Sequence, residues 1–350
     1  MNHLKTQVTV SSLLILMLFQ LIPAFAQAQV KTENYISMDN PPSGLIWTGK
    51  LFIFPSAEDN ITKLYAVDPH DRSINRFGAT FAAKGDNTHI AASSGVYFPA
   101  GYIYATSGDQ IHEISADGNT VRVFTTPANG VDVVGLAFDN RAYWNDKLAA
   151  VTKDGVVWVI DRNGDREKVA DLGANSAPTA VTVARDEFGD FSGDILVTTA
   201  DGKVLAVSHT THNVRTVTQI AEGTPKQILY AQTLSDLYVA EQKTGAIVKI
   251  DRDLVKDHLA EIMVVSEAKD KTLTLTAIKS DRAGVKTATI TTGLGSDIKG
   301  VGFVLDSELA DAIKGPEPKG VEIDPLLIII PIFAIVVVVT AIIIWRYRGF

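Results

Sequence analysis

Asparagine residues recur at one position of a repeating sequence pattern and could supply oxygen ligands to a metal ion. Asn129 and Asn175 are 46 residues apart, each just before a predicted strand, and Asn87 has a similar place. Asp132 and Asp297 lie nearby in the pattern. Amide and carboxylate oxygens suit calcium, which takes about six to eight oxygen ligands. These residues therefore predict a ligand site at the mouth of a channel, with Asn129, Asn175 and Asp132 as the candidate metal ligands.

The same residues have a second, purely structural interpretation. Asparagine is a common turn former because its side chain bonds to its own backbone and tolerates left-handed conformations. Asp86, beside Asn87, shares both interpretations. We favour the turn interpretation, and calcium remains the alternative at these positions.

Residues 161–165 read Asp-Arg-Asn-Gly-Asp, and oxygen-bearing side chains alternate in this way in calcium-binding loops. The rest of the twelve-residue pattern that makes such a loop specific is missing from the sequence. Asn163 and Gly164 form the pair expected in a tight hairpin turn. We therefore predict a hairpin here rather than a calcium site.

Two segments longer than a hairpin requires carry aromatic residues beside charged ones. Residues 140–145 include Trp144, and residues 186–191 include Phe188 and Phe191. Exposed aromatic residues next to charges are typical of protein-binding surfaces. The sequence therefore predicts a binding rim at these three residues, and packing between the two loops is the alternative.

Other kinds of chemistry have little support in the sequence. There is no cysteine, so disulfides and thiolate metal sites are excluded. The histidines show no metal-ligand spacing, and no nucleophile elbow, Walker loop or dinucleotide fingerprint occurs in a suitable context. A formal net charge of −8 argues against a nucleic-acid partner. Catalysis is unsupported by these motifs, although they do not exclude it.

The elements that must position these residues form a repeat, which is clearest in the third copy. That copy has four predicted strands, at residues 134–139, 147–151, 156–161 and 167–170. The turn before the third strand recurs at positions 62, 109, 155, 202 and 245, so successive copies are 47, 46, 47 and 43 residues apart. A period near 45 residues indicates stacked units that bury their faces against neighbouring copies. We predict an all-β propeller of six four-stranded blades, with five or seven as alternatives.

The repeat weakens after Asp251, where we predict a degenerate blade. Residues 227–251 still fit the pattern and are assigned to a single fifth blade. Residues 300–306 match the first strand of the third copy. Because an open array would leave exposed sheet edges, we predict that this last strand closes the ring by pairing with the strands that begin at Leu51.

Both ends of the chain carry targeting signals. Residues 1–26 are apolar, contain a single charge and end in Ala-Phe-Ala, which predicts a signal peptide cleaved after Ala26, with cleavage after Ala28 as the alternative. Residues 326–345 contain no charge and as a helix would span roughly 30 Å, which predicts one transmembrane helix. Arginines in residues 346–350 then favour a cytoplasmic tail. An uncleaved membrane helix at the first end and a buried helix at the second are the alternatives.

These signals divide the chain into a lead at 27–44, a propeller at 45–308 and a stalk rich in Gly, Pro, Lys and Glu at 309–325. The propeller is thereby predicted to lie outside the cytoplasm, held at the cell membrane by a single span. Asn60 begins an Asn-Ile-Thr sequence on that side and is a candidate glycosylation site. A chance match is the alternative.

Residues 135–139, 155–161 and 163–165 resemble the blades of NHL-repeat, gluconolactonase and strictosidine-synthase-like six-bladed propellers. The resemblance extends over residues 45–306 and is strongest at 131–251. It implies a fold shared by scaffolds, binding proteins and enzymes. Enzymes of the gluconolactonase branch hold a divalent cation in the central channel through Glu, Asn and Asp. No motif match carries those ligands onto particular residues of this chain.

Three functions follow as hypotheses. The first is a cell-surface propeller, anchored in the membrane, that binds a protein or glycan through its loop rim. The second is a hydrolase of the lactonase type, in which calcium held by the Asn and Asp residues polarises a carbonyl or activates water. The third is a structural subunit of a membrane complex in the cell envelope.

Overall fold

The computed structural model describes residues 32–84, 87–231, 236–281, 283–294 and 297–303. The signal peptide, stalk, transmembrane helix and tail predicted from the sequence lie outside these residues, as does Asp86. No helix within the described ranges is both long and apolar enough to span a membrane. The first described element is strand β1 (Thr32–Ser37).

Four sheets each consist of four strands that follow one another along the chain, as the repeat predicts. The first blade contains β2 (Ile46–Trp47), β3 (Phe52–Glu58), β4 (Ile61–Val67) and β5 (Ile74–Ala82). The second contains β6 (Ile90–Ala92), β7 (Ile103–Ser107), β8 (Gln110–Ile114) and β9 (Val121–Thr125). The third contains β10 (Val133–Phe138), β11 (Leu148–Thr152), β12 (Val156–Ile160) and β13 (Arg166–Asp171). The fourth contains β14 (Pro178–Val183), β15 (Ile195–Thr199), β16 (Lys203–Val207) and β17 (Val214–Gln219).

The turn between the second and third strands explains the repeating glycine of the sequence. Gly155 has a φ of +90°, a left-handed conformation that side-chain-bearing residues rarely adopt. A Cβ at this position would also lie 2.5 Å from the carbonyl oxygen of Gly173. The turn therefore requires glycine for both its backbone angle and its close packing.

The fifth and sixth blades are interleaved, and the prediction that residues 227–251 form one blade is wrong. The fifth blade contains β18 (Thr224–Tyr230), and the chain then leaves it for β19 (Leu237–Glu241) and β20 (Ala246–Ile250). After two short 3₁₀ helices (Arg252–Leu254 and Lys256–His258), it returns with β21 (Ile262–Glu267), β22 (Leu273–Asp281) and β23 (Gly284–Leu294). The final strand is β24 (Ile298–Phe303).

The sixth blade is built from three separate segments, in the order β1, β20, β19 and β24 from its outer to its inner edge. Val239 of β19 lies opposite Val301 of β24, and Asn34 of β1 lies opposite Val248 of β20. The last strand thus pairs with β19. Our prediction that it pairs with the strands that begin at Leu51 is wrong. The structure also places β1, from the predicted lead, within the propeller. The N-terminal and C-terminal strands close the ring in the same blade.

The six innermost strands line the central channel, each packed against that of the next blade. The hydrophobic cores lie between adjacent blades. Leu148 and Ile160 of the third blade, for example, share a cluster with Tyr104 and Ile111 of the second. Inner strands begin at one end of the channel, here called the first face, and end at the other, the second face. Loops joining first to second strands and third to fourth strands lie on the second face.

Candidate functional site

The channel is almost closed at its waist because the inner strands approach one another closely. A Cβ at Gly135 would lie 2.9 Å from Cγ1 of Val181, and one at Gly300 would lie 2.2 Å from the backbone nitrogen of Leu45. A cavity of about 40 Å³ remains between the strands. Ligand pockets for small molecules measure about 300–1,000 Å³, so this cavity is too small for such a ligand.

Two basic side chains, His89 and Lys299, lie on the wall of this cavity. Burial, aided by the charge of Lys299, lowers the pKa of His89 to about 4, so its imidazole is neutral near pH 7. The ammonium of Lys299 lies 3.4 Å from the carboxylate of Asp297. The channel therefore carries a neutral imidazole and a paired ammonium at its waist.

The structure places the predicted asparagine ring on the first face. Asn87, Asn129 and Asn175 are all exposed, and Asn129 and Asn175 lie in the turns that precede β10 and β14. The carboxylate of Asp297 forms an ion pair with Lys299, and Asp132 directly precedes β10. The ranges that the structure describes contain no group of three or more His, Cys, Asp or Glu residues placed to hold a metal ion. Calcium binding by these residues stays a prediction.

The hairpin predicted at residues 161–165 is confirmed. The carboxylate of Asp161 accepts hydrogen bonds from the backbone N–H groups of Asn163 and Asp165, at 2.8 and 2.9 Å. The oxygen atoms that could have bound calcium therefore hold the turn together. Asn60, the candidate glycosylation site, is exposed in the turn between β3 and β4, and its modification stays a prediction.

The two long loops of the third and fourth blades pack against each other, which is the alternative that the sequence offered for their aromatic residues. Trp144 is 5% exposed and Phe188 is 1% exposed. The indole N–H of Trp144 donates to the carbonyl oxygen of Gly193 at 2.8 Å, across the boundary between the blades. These two aromatic residues are therefore core residues of the second face. Phe191 keeps part of its surface accessible.

A buried carboxylate that sequence reasoning missed fixes one side of this loop pair. Asp194 is 2% exposed and accepts a hydrogen bond at 2.7 Å from the guanidinium of Arg215. It also accepts from the backbone N–H of His209 at 3.1 Å, and the ring Nδ1 of that histidine lies 3.2 Å away. Since the three residues are separated along the chain, their convergence left no local signal. They border an open groove of about 390 Å³ on the outer part of the fourth blade.

A second cluster that sequence reasoning missed lies where the channel opens on the second face. The guanidinium of Arg185 lies over the ring of Tyr230, with its Cζ atom 5.0 Å from the ring centre. The hydroxyl of Tyr230 donates to Glu187 at 3.1 Å, and the hydroxyl of Tyr143 donates to Asp186 at 3.0 Å. The cluster thus joins the third, fourth and fifth blades at the mouth of the channel.

Comparisons with known proteins support the architecture. No family model and no curated protein matches the chain. A chain in the crystal structure of a nidogen/laminin complex is similar at a TM-score of 0.50 and 12% identity, over 76% of this chain and 86% of that one. TolB from Acinetobacter baumannii is similar at a TM-score of 0.50 and 12% identity, over 77% of this chain and 59% of TolB. At such low identity the likeness concerns the fold alone. The chain is a six-bladed β-propeller, as predicted from its repeat.

Proposed function

We propose that this protein is an exported, membrane-tethered propeller that binds a protein partner through its second face. The supporting observation is the contact between the long loops of the third and fourth blades. Because Trp144 and Tyr143 bond directly to the neighbouring loop, the surface above them is formed before a partner arrives. A preformed surface loses little conformational entropy on binding. The nearly closed waist leaves the outer surfaces as the place for a partner to bind.

The proposed binding surface, here called the loop rim, consists of residues 94–97, 140–143, 185–191 and 209–212. It crosses from the second blade to the third through a hydrogen bond of 3.0 Å between the side chains of Ser94 and Asn140. Val96 is 69% exposed, which is the highest value among the large exposed hydrophobic residues of the described chain. Beside it, Arg162 lies over the ring of Tyr97 at 5.3 Å. Exposed apolar, tyrosine and arginine side chains in one region are typical of protein interfaces.

Export and tethering rest on the sequence. The apolar stretch at 326–345 and the signal-like residues 1–26 support a propeller outside the cytoplasm with the C-terminus inside. β24 ends on the second face, from which the chain continues toward the proposed anchor. Residues 304–325 could extend at most about 80 Å, which leaves room for a partner between the propeller and the membrane. The similarity in fold to a chain of a protein complex is compatible with this role.

The test compares substitutions on the two faces of the full-length protein, expressed in its native membrane and captured after mild cross-linking. Val96→Glu places a charge in the loop rim, and Ile61→Glu places the same charge on the first face, where Ile61 is 42% exposed. We expect Val96→Glu to remove the cross-linked partner and Ile61→Glu to retain it. Equal retention by both variants, or loss with Ile61→Glu alone, would contradict the proposal.

A further inference from the structure

The groove on the outer part of the fourth blade has a lining that is polar throughout. It lies between the long loop of this blade, which contributes Asp190, and the turn at residues 208–213 that joins β16 to β17. All eight described residues that border it carry polar or charged side chains. Its volume of about 390 Å³ is within the range of small-molecule sites, about 300–1,000 Å³, but such sites are usually lined by apolar groups. The lining therefore disfavours an apolar ligand and suits one that is polar over most of its surface.

Two of the side chains that border the groove are held in place by the buried carboxylate of Asp194. The guanidinium of Arg215 donates to Asp194 at 2.7 Å and to the carbonyl oxygen of Asp190 at 3.0 Å. Its Cζ atom lies 4.7 Å from the centre of the Phe191 ring, which fixes the plane of the group. The Nδ1 atom of His209 lies 3.2 Å from Asp194, so the other ring nitrogen, Nε2, is directed away from this carboxylate. These side chains are oriented before a ligand arrives, which reduces the entropy lost on binding.

The charges around the groove disfavour a ligand that carries a net charge. The ion pair between Asp194 and Arg215, at 2.7 Å, offsets the buried negative charge. Asp190 adds an exposed carboxylate, so an anion would meet two carboxylates in the groove. A cation attracted by Asp190 would meet the guanidinium of Arg215, which borders the same groove and repels it. A neutral ligand avoids both repulsions, and its affinity comes from hydrogen bonds and from contact with the aliphatic parts of the lining.

Hydrogen-bonding groups of both kinds border the groove. The amide of Asn213 can donate and accept, the carboxylate of Asp190 can accept, and the hydroxyl of Thr211 can do either. Asp190 and Asn213 use backbone atoms for their hydrogen bonds to other described residues, so their side chains are available to a ligand. A sugar hydroxyl also donates and accepts, and one sugar ring carries several such groups. Carbohydrates are therefore the neutral class of ligand that this lining fits best.

We propose that the groove of the fourth blade binds a neutral carbohydrate, with Asp190, Asn213 and Arg215 as its hydrogen-bonding contacts. The planar end groups of these three side chains suit the adjacent hydroxyl groups of a sugar ring. The site goes beyond the proposed function. Although the groove shares Asp190 and residues 209–211 with the loop rim, capture of the protein partner is expected to depend on Val96 of the second blade. The two functions can therefore be tested separately.

The test applies the full-length protein, in a polyoxyethylene detergent that contains no sugar, to a printed array of neutral, sialylated and amine-bearing glycans. We expect binding to neutral glycans, and saturable binding of the best of them in isothermal titration. Asn213→Ala and Asp190→Ala should each weaken this binding at least about tenfold. Asn163→Ala is the matched control, because it removes an exposed amide from the corresponding turn of the third blade. We expect this control, and Val96→Glu, to bind glycan as the wild type does.

Absence of binding to any neutral glycan, or equal binding by the wild type and both alanine variants, would overturn the carbohydrate site. Binding confined to sialylated or to amine-bearing glycans would overturn it as well, since the ligand would then be charged. Both alanine variants alter exposed side chains, and denaturant unfolding should show that their stability matches that of the wild type. Absence of glycan binding with normal, Val96-dependent partner capture would reject the site and leave the proposed function intact. The reverse result would reject the proposed function alone.

Discussion

The two faces of the propeller differ in how their loops are held. On the first face, turns such as that at Gly155 are short and are stabilised by their own backbone conformation. On the second face, the loops of the third and fourth blades depend on each other, through the hydrogen bonds that Trp144 and Tyr143 donate. This difference favours the second face as the surface that carries function.

The largest expected effect comes from removing the contact that holds the second-face loops together. Trp144→Ala deletes a buried aromatic side chain and its hydrogen bond to Gly193, and should lower the free energy of unfolding by about 3–5 kcal/mol. Ile61→Ala, on the exposed first face, should change it by less than about 0.5 kcal/mol. Denaturant unfolding of the two variants measures both values. A loss below about 1 kcal/mol for Trp144→Ala would mean that the loops do not depend on each other as described.

The second prediction concerns the waist that separates the two faces. His89 has a pKa of about 4 in the folded protein, against an ordinary value of 6.5, so the unfolded chain binds more protons between these pH values. The stabilisation from keeping His89 neutral is complete above about pH 6.5 and is lost as the pH falls toward 4. The free energy of unfolding should fall by about 3 kcal/mol over this range because of His89. Burial also lowers the pKa of His112, which adds to this loss of stability at low pH.

Unfolding free energies measured from pH 7 to pH 4.5 test this prediction, with His89→Gln as the variant that cannot titrate. We expect the wild type to lose stability more steeply than His89→Gln over this range. Parallel curves would show that water reaches His89 freely, and that the waist does not separate the two faces.

The smallest expected effect concerns calcium on the first face. Because the asparagines are exposed and Asp297 is paired with Lys299, we expect calcium at millimolar concentration to leave the melting temperature of the full-length protein unchanged relative to chelator. Calcium present at ten times its dissociation constant would raise the free energy of unfolding by about 1.4 kcal/mol. A shift of that size that disappears in the double variant Asn129→Ala with Asn175→Ala would restore the calcium hypothesis and give the first face a function of its own.

Sequence reasoning succeeded where structure is local. The strands predicted for the third blade agree with β10 to β13 to within one residue at nearly every boundary, because alternating apolar residues and left-handed glycine turns act within a few positions. It failed for residues 236–251 because a hairpin signal is the same whichever sheet receives the hairpin. The hairpin belongs to the sixth blade because β19 pairs with β24 and β20 pairs with β1, both distant in the chain. Its residues Leu237 and Ile250 then pack against Met263 and Leu275 of the fifth blade.

The candidate sites show the same division. The sequence picked out Trp144 and Phe188 by residue type, but each is buried by packing against residues of the next blade along the chain. Arg185 attracted no notice in the sequence, because its contact with Tyr230 of the fifth blade is a property of three-dimensional surroundings. The same holds for the hydrogen bonds that Tyr143 and Tyr230 donate to Asp186 and Glu187.

The sequence by itself determined the repeat and the four-stranded unit and favoured a ring of six blades over five or seven, since these follow from short-range periodicity and from the need of every blade to bury its faces. Tertiary structure alone decided which segments complete the last two blades, which aromatic residues are core and which charged residues meet across blade boundaries. Those outcomes depend on contacts between residues distant in the chain, whose strength comes from packing and electrostatics across blade boundaries rather than from any local pattern.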